Sequence, residues 1–157
     1  MSRRAARELA LRALFMIWQA RLPADDALEQ ARLSLPKGRS SDPAFVVLLV
    51  HGTAANQELV DEVIKPHIQK WAVEQLSAVD RTILRLATFE MLFTAEPVSA
   101  IIDEAVTLAK IYGTPESGRF VNGVLGAMVR SGSVERHRVQ APPSEPNDEA
   151  EPSLPIG

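Results

Sequence analysis

Arginines and aromatic rings interleave at the start of the chain. Arg3, Arg4 and Arg7 precede Phe15 and Trp18. At helical spacing they fall, with Leu11, opposite a stripe of Ala6, Leu9, Ala10, Ala13, Leu14 and Ile17. Guanidiniums meet phosphates and rings stack on bases, so this pattern suits unpaired RNA. It also suits a plainer arrangement, with Phe15 and Trp18 on a second packing face and the arginines solvated. A second place of interest is the stretch RFVNGVLG, residues 119–126, where Arg119 and Phe120 stand near the start of a helix. Helix N-termini attract anions.

That stretch carries an Asn and two glycines where helix formers are expected, and Gly costs about 1 kcal/mol against Ala in a helix interior. Ser117, Val121, Val124, Leu125 and Met128 share one side, the apolar stripe. Gly123 and Gly126 share the other with Arg119 and Arg130, flanked by Phe120 and Ala127. The bare strip predicts a second helix packed against it, with Asn122 bonded to a neighbouring backbone group. The Arg119–Phe120 end stays available for a ligand.

No constellation for catalysis assembles. There is no Cys, hence no thiolate nucleophile and no Cys-based zinc site. His51, His67 and His137 lack metal-ligand spacing, and His51 with Glu58 reads as a helix surface. Glu90 lies within an apolar stripe but has no histidine or second carboxylate to work with, so it reads as a hydrogen-bonded structural residue. Asp103 and Glu104 read as a solvated pair early in their helix. No P-loop or Rossmann glycine pattern occurs, and no cofactor is expected.

The elements that position these residues are all helical. The apolar period predicts helices at about 4–20, 25–34, 42–64 and 77–94, then from Val98 to a Gly113 stop, and from Thr114–Pro115 to near Gly132. Asp42–Pro43 is a cap with Pro at the first helical position, and Ser77 to Asp80 reads as a capping box with Asp in place of Glu. Pro66 ends or kinks the third helix, and Ile68–Val73 forms one further turn. The helix from Ser77 is apolar nearly all round and therefore central. No segment alternates with period two. The expected fold is all-α, a compact bundle of six to seven helices over residues 1–132, with a disordered Pro-rich acidic tail over 133–157.

The 157 residues suffice for one core, and 46% are hydrophobic. The net charge of −3 resides in the tail, where five acids face Arg136 and Arg138. The preceding 132 residues balance at 15 basic and 15 acidic side chains. The body is therefore neutral with a basic leading end, unlike a uniformly basic nucleic-acid binder. No apolar run approaches 18 residues and no secretory signal is evident, so no membrane association and a cytoplasmic location are expected.

Three segments, SRRAARELALRALF, VDRTILRLATFEM and IIDEAVTLAKIYGTPESGRFVNGVLG, together resemble the NusB family of bacterial transcription antitermination factors. The resemblance runs from about Ser2 to Val129 and is most specific at FVNGVLG. It implies two packed helical halves and no catalysis. It also implies binding to the boxA element of nascent RNA together with NusE, a ribosomal small-subunit protein, within the RNA polymerase antitermination complex. Mapped position by position, the implied RNA contacts are Arg3, Arg4, Arg7, Phe15, Tyr112, Glu116, Arg119 and Phe120. The implied partner contact is Asp80, with Arg81 and Leu84 on the same helix. Ala5 stands where a third consecutive Arg is often found. A helical protein–protein adaptor without RNA contact is the alternative. A domain of the kind fused to some ribosomal RNA methyltransferases is a third reading, less suited to a chain followed only by a short acidic tail.

Overall fold

A computed structural model describes residues 3–35, 42–68 and 72–138. Among these are eight α-helices and no strand: α1 (Arg3–Gln19), α2 (Ala24–Ser34), α3 (Pro43–Ala55), α4 (Gln57–Ile64), α5 (Ala78–Phe93), α6 (Val98–Tyr112), α7 (Ser117–Arg130) and α8 (Ser133–Arg138). Short 3₁₀ turns occupy Lys65–His67 and Val73–Gln75; of the further turn expected over Ile68–Val73, residues 69–71 lie outside the described residues. The fold is all-α, as expected.

Helices α1, α2 and α3 pack on one another and form one half. The other half gathers α4, α6, α7 and α8 around α5, and α1 and α3 lean on α5 to join the two. The central place of α5 follows from its sequence: every residue from Thr82 to Leu92 is buried. In α1, Ala6, Ala10 and Ala13 are fully buried, and their small size lets neighbouring backbones come close.

Local signals explain most boundaries. Asp42 accepts hydrogen bonds from the Ala44 and Phe45 amides at 3.1 and 3.3 Å, capping α3 as its Asp-Pro pair predicts. Ser77 accepts from the Asp80 amide at 3.1 Å and caps α5. Gly113 ends α6 because the chain comes too close for a side chain: a Cβ there would sit 2.4 Å from Ser117 Oγ and 2.8 Å from the Ala109 carbonyl oxygen. Helix α7 opens later than the Thr114–Pro115 signal, since the Thr114 amide donates to Ser117 Oγ at 3.0 Å and holds residues 114–116 in a turn.

Two boundaries differ from the sequence reading. The helix expected over 42–64 breaks at Asn56, whose side-chain amide donates to the Gly52 carbonyl at 2.8 Å and competes with the helical ladder. The tail expected from Ser133 is contradicted over its first six residues, where Ser133–Arg138 forms α8, with Val134 buried and His67 bonded to Ser133 Oγ at 3.1 Å. Residues 139–157, the rest of the expected tail, lie outside the described residues.

Gly52 marks a close approach of α3 to α5. A Cβ built there would lie 2.2 Å from Phe89 Cζ, and that ring is buried and stacked on Phe93 at 5.0 Å between centroids. Gly52→Ala is expected to destabilise the fold by about 1 kcal/mol. Overpacking of about 2 kcal/mol outweighs a helix-propensity gain of up to about 1 kcal/mol. Urea unfolding of the two proteins checks this; an unchanged or raised midpoint contradicts the close contact.

Candidate nucleic-acid interface

Helix α1 presents its arginines on two stripes. Arg4, Glu8, Arg12 and Phe15 recur at i, i+4, i+8 and i+11, and the side chains of Arg4 and Arg12 reach α6 at Glu104 and Tyr112, in the same chain direction. Arg4 grips Glu104 with Nε and Nη2 at 2.9 and 3.0 Å. That contact corrects the expectation of a merely solvated Asp103–Glu104 pair, and it holds the Glu104 carboxyl below its usual range. Eight residues on, Arg12 Nη2 donates to the Tyr112 hydroxyl at 3.1 Å, and that hydroxyl donates to Glu8. Burial, together with the Glu8 carboxylate, pushes the Tyr112 phenol up, so it remains a neutral donor.

The other stripe turns inward. Arg7 is only 4% exposed, which corrects its expected place on an RNA-facing surface. Its Nε and Nη2 donate to the two Glu90 carboxylate oxygens at 2.7 Å each, and Nη2 also reaches Glu96 at 3.1 Å. The physical reason is Glu90, 1% exposed on the central helix: a buried carboxylate needs a buried cation, and Arg7 shares the inward row of Ala10 and Leu14. Burial works against the Arg7 charge, but the bonds to Glu90 outweigh it and hold the guanidinium protonated. Glu90 is thus a structural, hydrogen-bonded residue. Arg3 sits at the rim of this network, 3.6 Å from Glu96 and 3.8 Å from Asp42, with its guanidinium 3.8 Å over the Phe45 ring.

The two rings of α1 part ways. Trp18 donates to Gln57 at 2.8 Å and lies under Arg85, which is itself paired with Asp61 at 2.8 Å, so Trp18 belongs to the packing between the halves. Phe15 stays 37% exposed. It lines an open, mostly apolar hollow of about 240 Å³ with Leu11, Arg12, Met16, Val79 and Tyr112. A ring edge beside a cation in such a hollow is what an unpaired base stacks on. Val79 brings the first turn of α5 into the lining of the same hollow.

Of the partner residues implied by the sequence, Asp80 keeps one buried carboxylate oxygen, Oδ1, without a hydrogen-bond partner. Arg81 is engaged, donating to the Leu76 and Glu74 carbonyls at 2.8 and 3.3 Å. Leu84 is fully buried in the core, which corrects its expected role in meeting a partner: the near-continuous apolar character of α5 hides every face at that position.

Beyond Tyr112 the chain turns directly into α7. Glu116 and Arg119 are exposed there and Phe120 is half-buried against the core. The glycine strip of α7 is open, correcting the expected neighbouring helix. A Cβ at Gly123 would meet nothing within 4 Å, and one at Gly126 would meet only the Arg130 guanidinium of its own helix. Asn122 is exposed and not an interior packing residue. The close α6–α7 approach is at Gly118 instead, where a Cβ would sit 3.1 Å from the Lys110 side chain.

The structure therefore brings Arg4, Phe15 and Tyr112 onto one strip along α1 and α6. Arg3 precedes it at the rim of the Arg7 network, and Glu116, Arg119 and Phe120 come after Tyr112 in the chain. From Arg4 to Phe15 the strip spans about 16 Å at 1.5 Å per residue. Arg12 and Glu8 belong to it and were not singled out from sequence, although their i, i+4 spacing was visible. Among the described residues no cluster of three His, Asp or Glu side chains could hold a metal, and no helix is long and apolar enough to cross a membrane.

Comparison with known proteins agrees with this architecture. The family model described as the NusB family matches residues 4–130. The transcription antitermination protein NusB of Geobacillus kaustophilus is 47% identical over 126 residues, covering 80% of this chain and 93% of that protein. The structure of T. maritima NusB superposes with a TM-score of 0.73 at 34% identity, covering 83% of this chain and 92% of that one. A chain from a crystal structure of the antitermination factors NusB and NusE in complex with dsRNA superposes with a TM-score of 0.72 at 25% identity, covering 82% of this chain and 96% of that one. With a family match across nearly the whole helical body and this level of identity, the chain belongs to the NusB family.

Proposed function

We propose that this protein is a transcription antitermination factor that binds boxA of nascent ribosomal RNA jointly with NusE and so helps RNA polymerase read through terminators. It acts in the cytoplasm by binding and performs no catalysis. The observation that carries the reading is the strip of Arg4, Arg12, Phe15 and Tyr112 on the body of a NusB-family fold, with Val79 from the first turn of α5 lining the same hollow. Cations and rings would hold the unpaired strand, while the start of α5 would hold the partner.

Few cations face the strip, and Arg3 and Arg4 already hold carboxylates, so release of counterions is limited and the lone protein binds RNA weakly. A partner that adds its own contacts on a joint surface raises affinity without altering this chain. In a titration at fixed salt, NusE is expected to tighten boxA binding by about tenfold or more. An RNA affinity indifferent to NusE contradicts the joint-surface reading. Those same engaged arginines favour the alternative, an adaptor that binds proteins alone; RNA binding absent with and without NusE, with NusE binding intact, supports that alternative.

A further inference from the structure

We propose that the outward face of α7 is a second contact for the same RNA, a track on which Lys110, Arg119 and Arg130 hold phosphates of the unpaired nucleotides that flank boxA. This contact extends, and depends on, the RNA-binding reading above. Arg119, Asn122, Gly123, Gly126 and Arg130 fall within about 100° of one another around the helix. They lie opposite the buried Val121, Val124, Leu125 and Met128. Arg119, Asn122, Gly123 and Arg130 are exposed, and α7 contains no acidic residue.

These cations are uncompensated. Arg3, Arg4, Arg7 and Arg85 all hold carboxylates. Among the described residues Lys110, Arg119 and Arg130 form no ion pair. Glu116, the acid closest to Arg119 in sequence, has its carboxylate 3.4 Å from Thr114 Oγ1. A phosphate that reaches these three side chains therefore displaces mobile counterions and no protein carboxylate, the condition under which a cation contributes most to RNA affinity.

Two glycines set where the cations lie. A Cβ at Gly118 would sit 3.1 Å from Lys110 Cγ and 3.3 Å from its Cε, so the Lys110 stem crosses the first turn of α7. A Cβ at Gly126 would sit 3.0 Å from Arg130 Nη1, so that guanidinium lies back along the helix. A cation in the last turn ordinarily serves the end carbonyls. Arg130 bonds none of them among the described residues and lies over Gly126 instead. Between the two arginines a Cβ at Gly123 would meet nothing within 4 Å, which leaves room for a sugar–phosphate chain close to the helix.

The dimensions and the chemistry fit a single strand. Arg119 and Arg130 stand about 16 Å apart along α7 at 1.5 Å per residue. Positively charged tracks for single strands take about 4–16 nucleotides. No ring stands among the five residues of the face, so it suits phosphates and not base stacking. Helix α6 carries Tyr112 at its C-terminal end and turns at Gly113 toward α7, so the track begins next to that end of α6.

Anisotropy titrations of the full chain with NusE present compare boxA alone with boxA lengthened by about eight unpaired uridines at its 5′ or its 3′ end. One lengthened RNA is expected to bind about fivefold more tightly than boxA alone at low salt. Its slope of log K against log salt should be steeper by about 1.4, two phosphates at roughly 0.7 each. The variant K110A/R130A changes two exposed residues outside the α1–α6 strip. It is expected to bind boxA alone as the parent does and to lose both the gain and the added slope. Intact boxA binding with no gain from either extension, or a gain that survives in K110A/R130A, overturns the α7 track and leaves the proposed function standing. Weaker NusE binding by K110A/R130A with unchanged RNA affinities assigns the face to a protein and also overturns it. Absence of boxA binding by the parent overturns the proposed function, and the track falls with it.

Discussion

Arg7→Ala is expected to lower the unfolding free energy by about 3–5 kcal/mol, because it leaves the Glu90 carboxylate buried without its cation. For a single domain this is a large share of the total stability. Urea unfolding followed by circular dichroism measures it. The paired change Arg7→Met with Glu90→Leu is expected to recover most of the loss, since well-packed apolar residues of similar volume commonly replace a buried ion pair at little cost. A loss under about 1 kcal/mol for the single variant means the pair is more hydrated than its 2.7 Å contacts and burial indicate. RNA affinity per folded molecule is expected to change little, because the guanidinium lies beneath the surface and its role is to position the leading turn of α1.

The double variant R3A/R4A behaves in the opposite way. Both side chains are largely exposed and their ion pairs contribute little to folding, so the urea midpoint is expected to stay close to that of the parent. RNA affinity is expected to fall about tenfold at moderate salt. The slope of log K against log salt should flatten by about 1.4, two phosphate contacts at roughly 0.7 each for a single strand. Binding to NusE is expected to persist. Fluorescence anisotropy across a salt series reads both quantities. An unchanged slope removes the leading end from the RNA contact surface and leaves the rings of the hollow to carry it.

The contrast between Arg7 and its neighbours shows what the sequence displays and what it hides. Helical period, the Asp42–Pro43 cap and the Gly113 stop are local signals, and each structure element built on them stands near its expected place. The central position of α5 is likewise local, written in its lack of a polar face. The Arg7–Glu90 pair joins residues 83 positions apart. Glu90 stands out alone as a carboxylate in an apolar stripe, but the period of α1 assigns Arg7 to the face opposite the core stripe. Only tertiary packing brings the two together as partners.

Leu84 illustrates a related gap. Resemblance carried it over with Asp80 and Arg81, but a helix buried on all sides offers a partner only its end. The α7 glycines illustrate another: small residues mark either a close neighbour or open space, and composition does not choose between them. Here Gly118 marks the neighbour and Gly123 the open space. The break at Asn56 accompanies a single side-chain bond to the Gly52 carbonyl, and the short helix α8 is held by buried Val134 and by long-range contacts such as His67 with Ser133. Periodicity does not register these.

The most direct test of the central claim is amide chemical-shift mapping of the isotope-labelled protein as unpaired boxA RNA is added. The account expects the largest changes at Arg3, along the outer stripe from Arg4 to Phe15, at Tyr112 and over Glu116 to Phe120. Changes confined to the far face, around Val47 and Leu48 of α3 or the turn at Asn56, would contradict it.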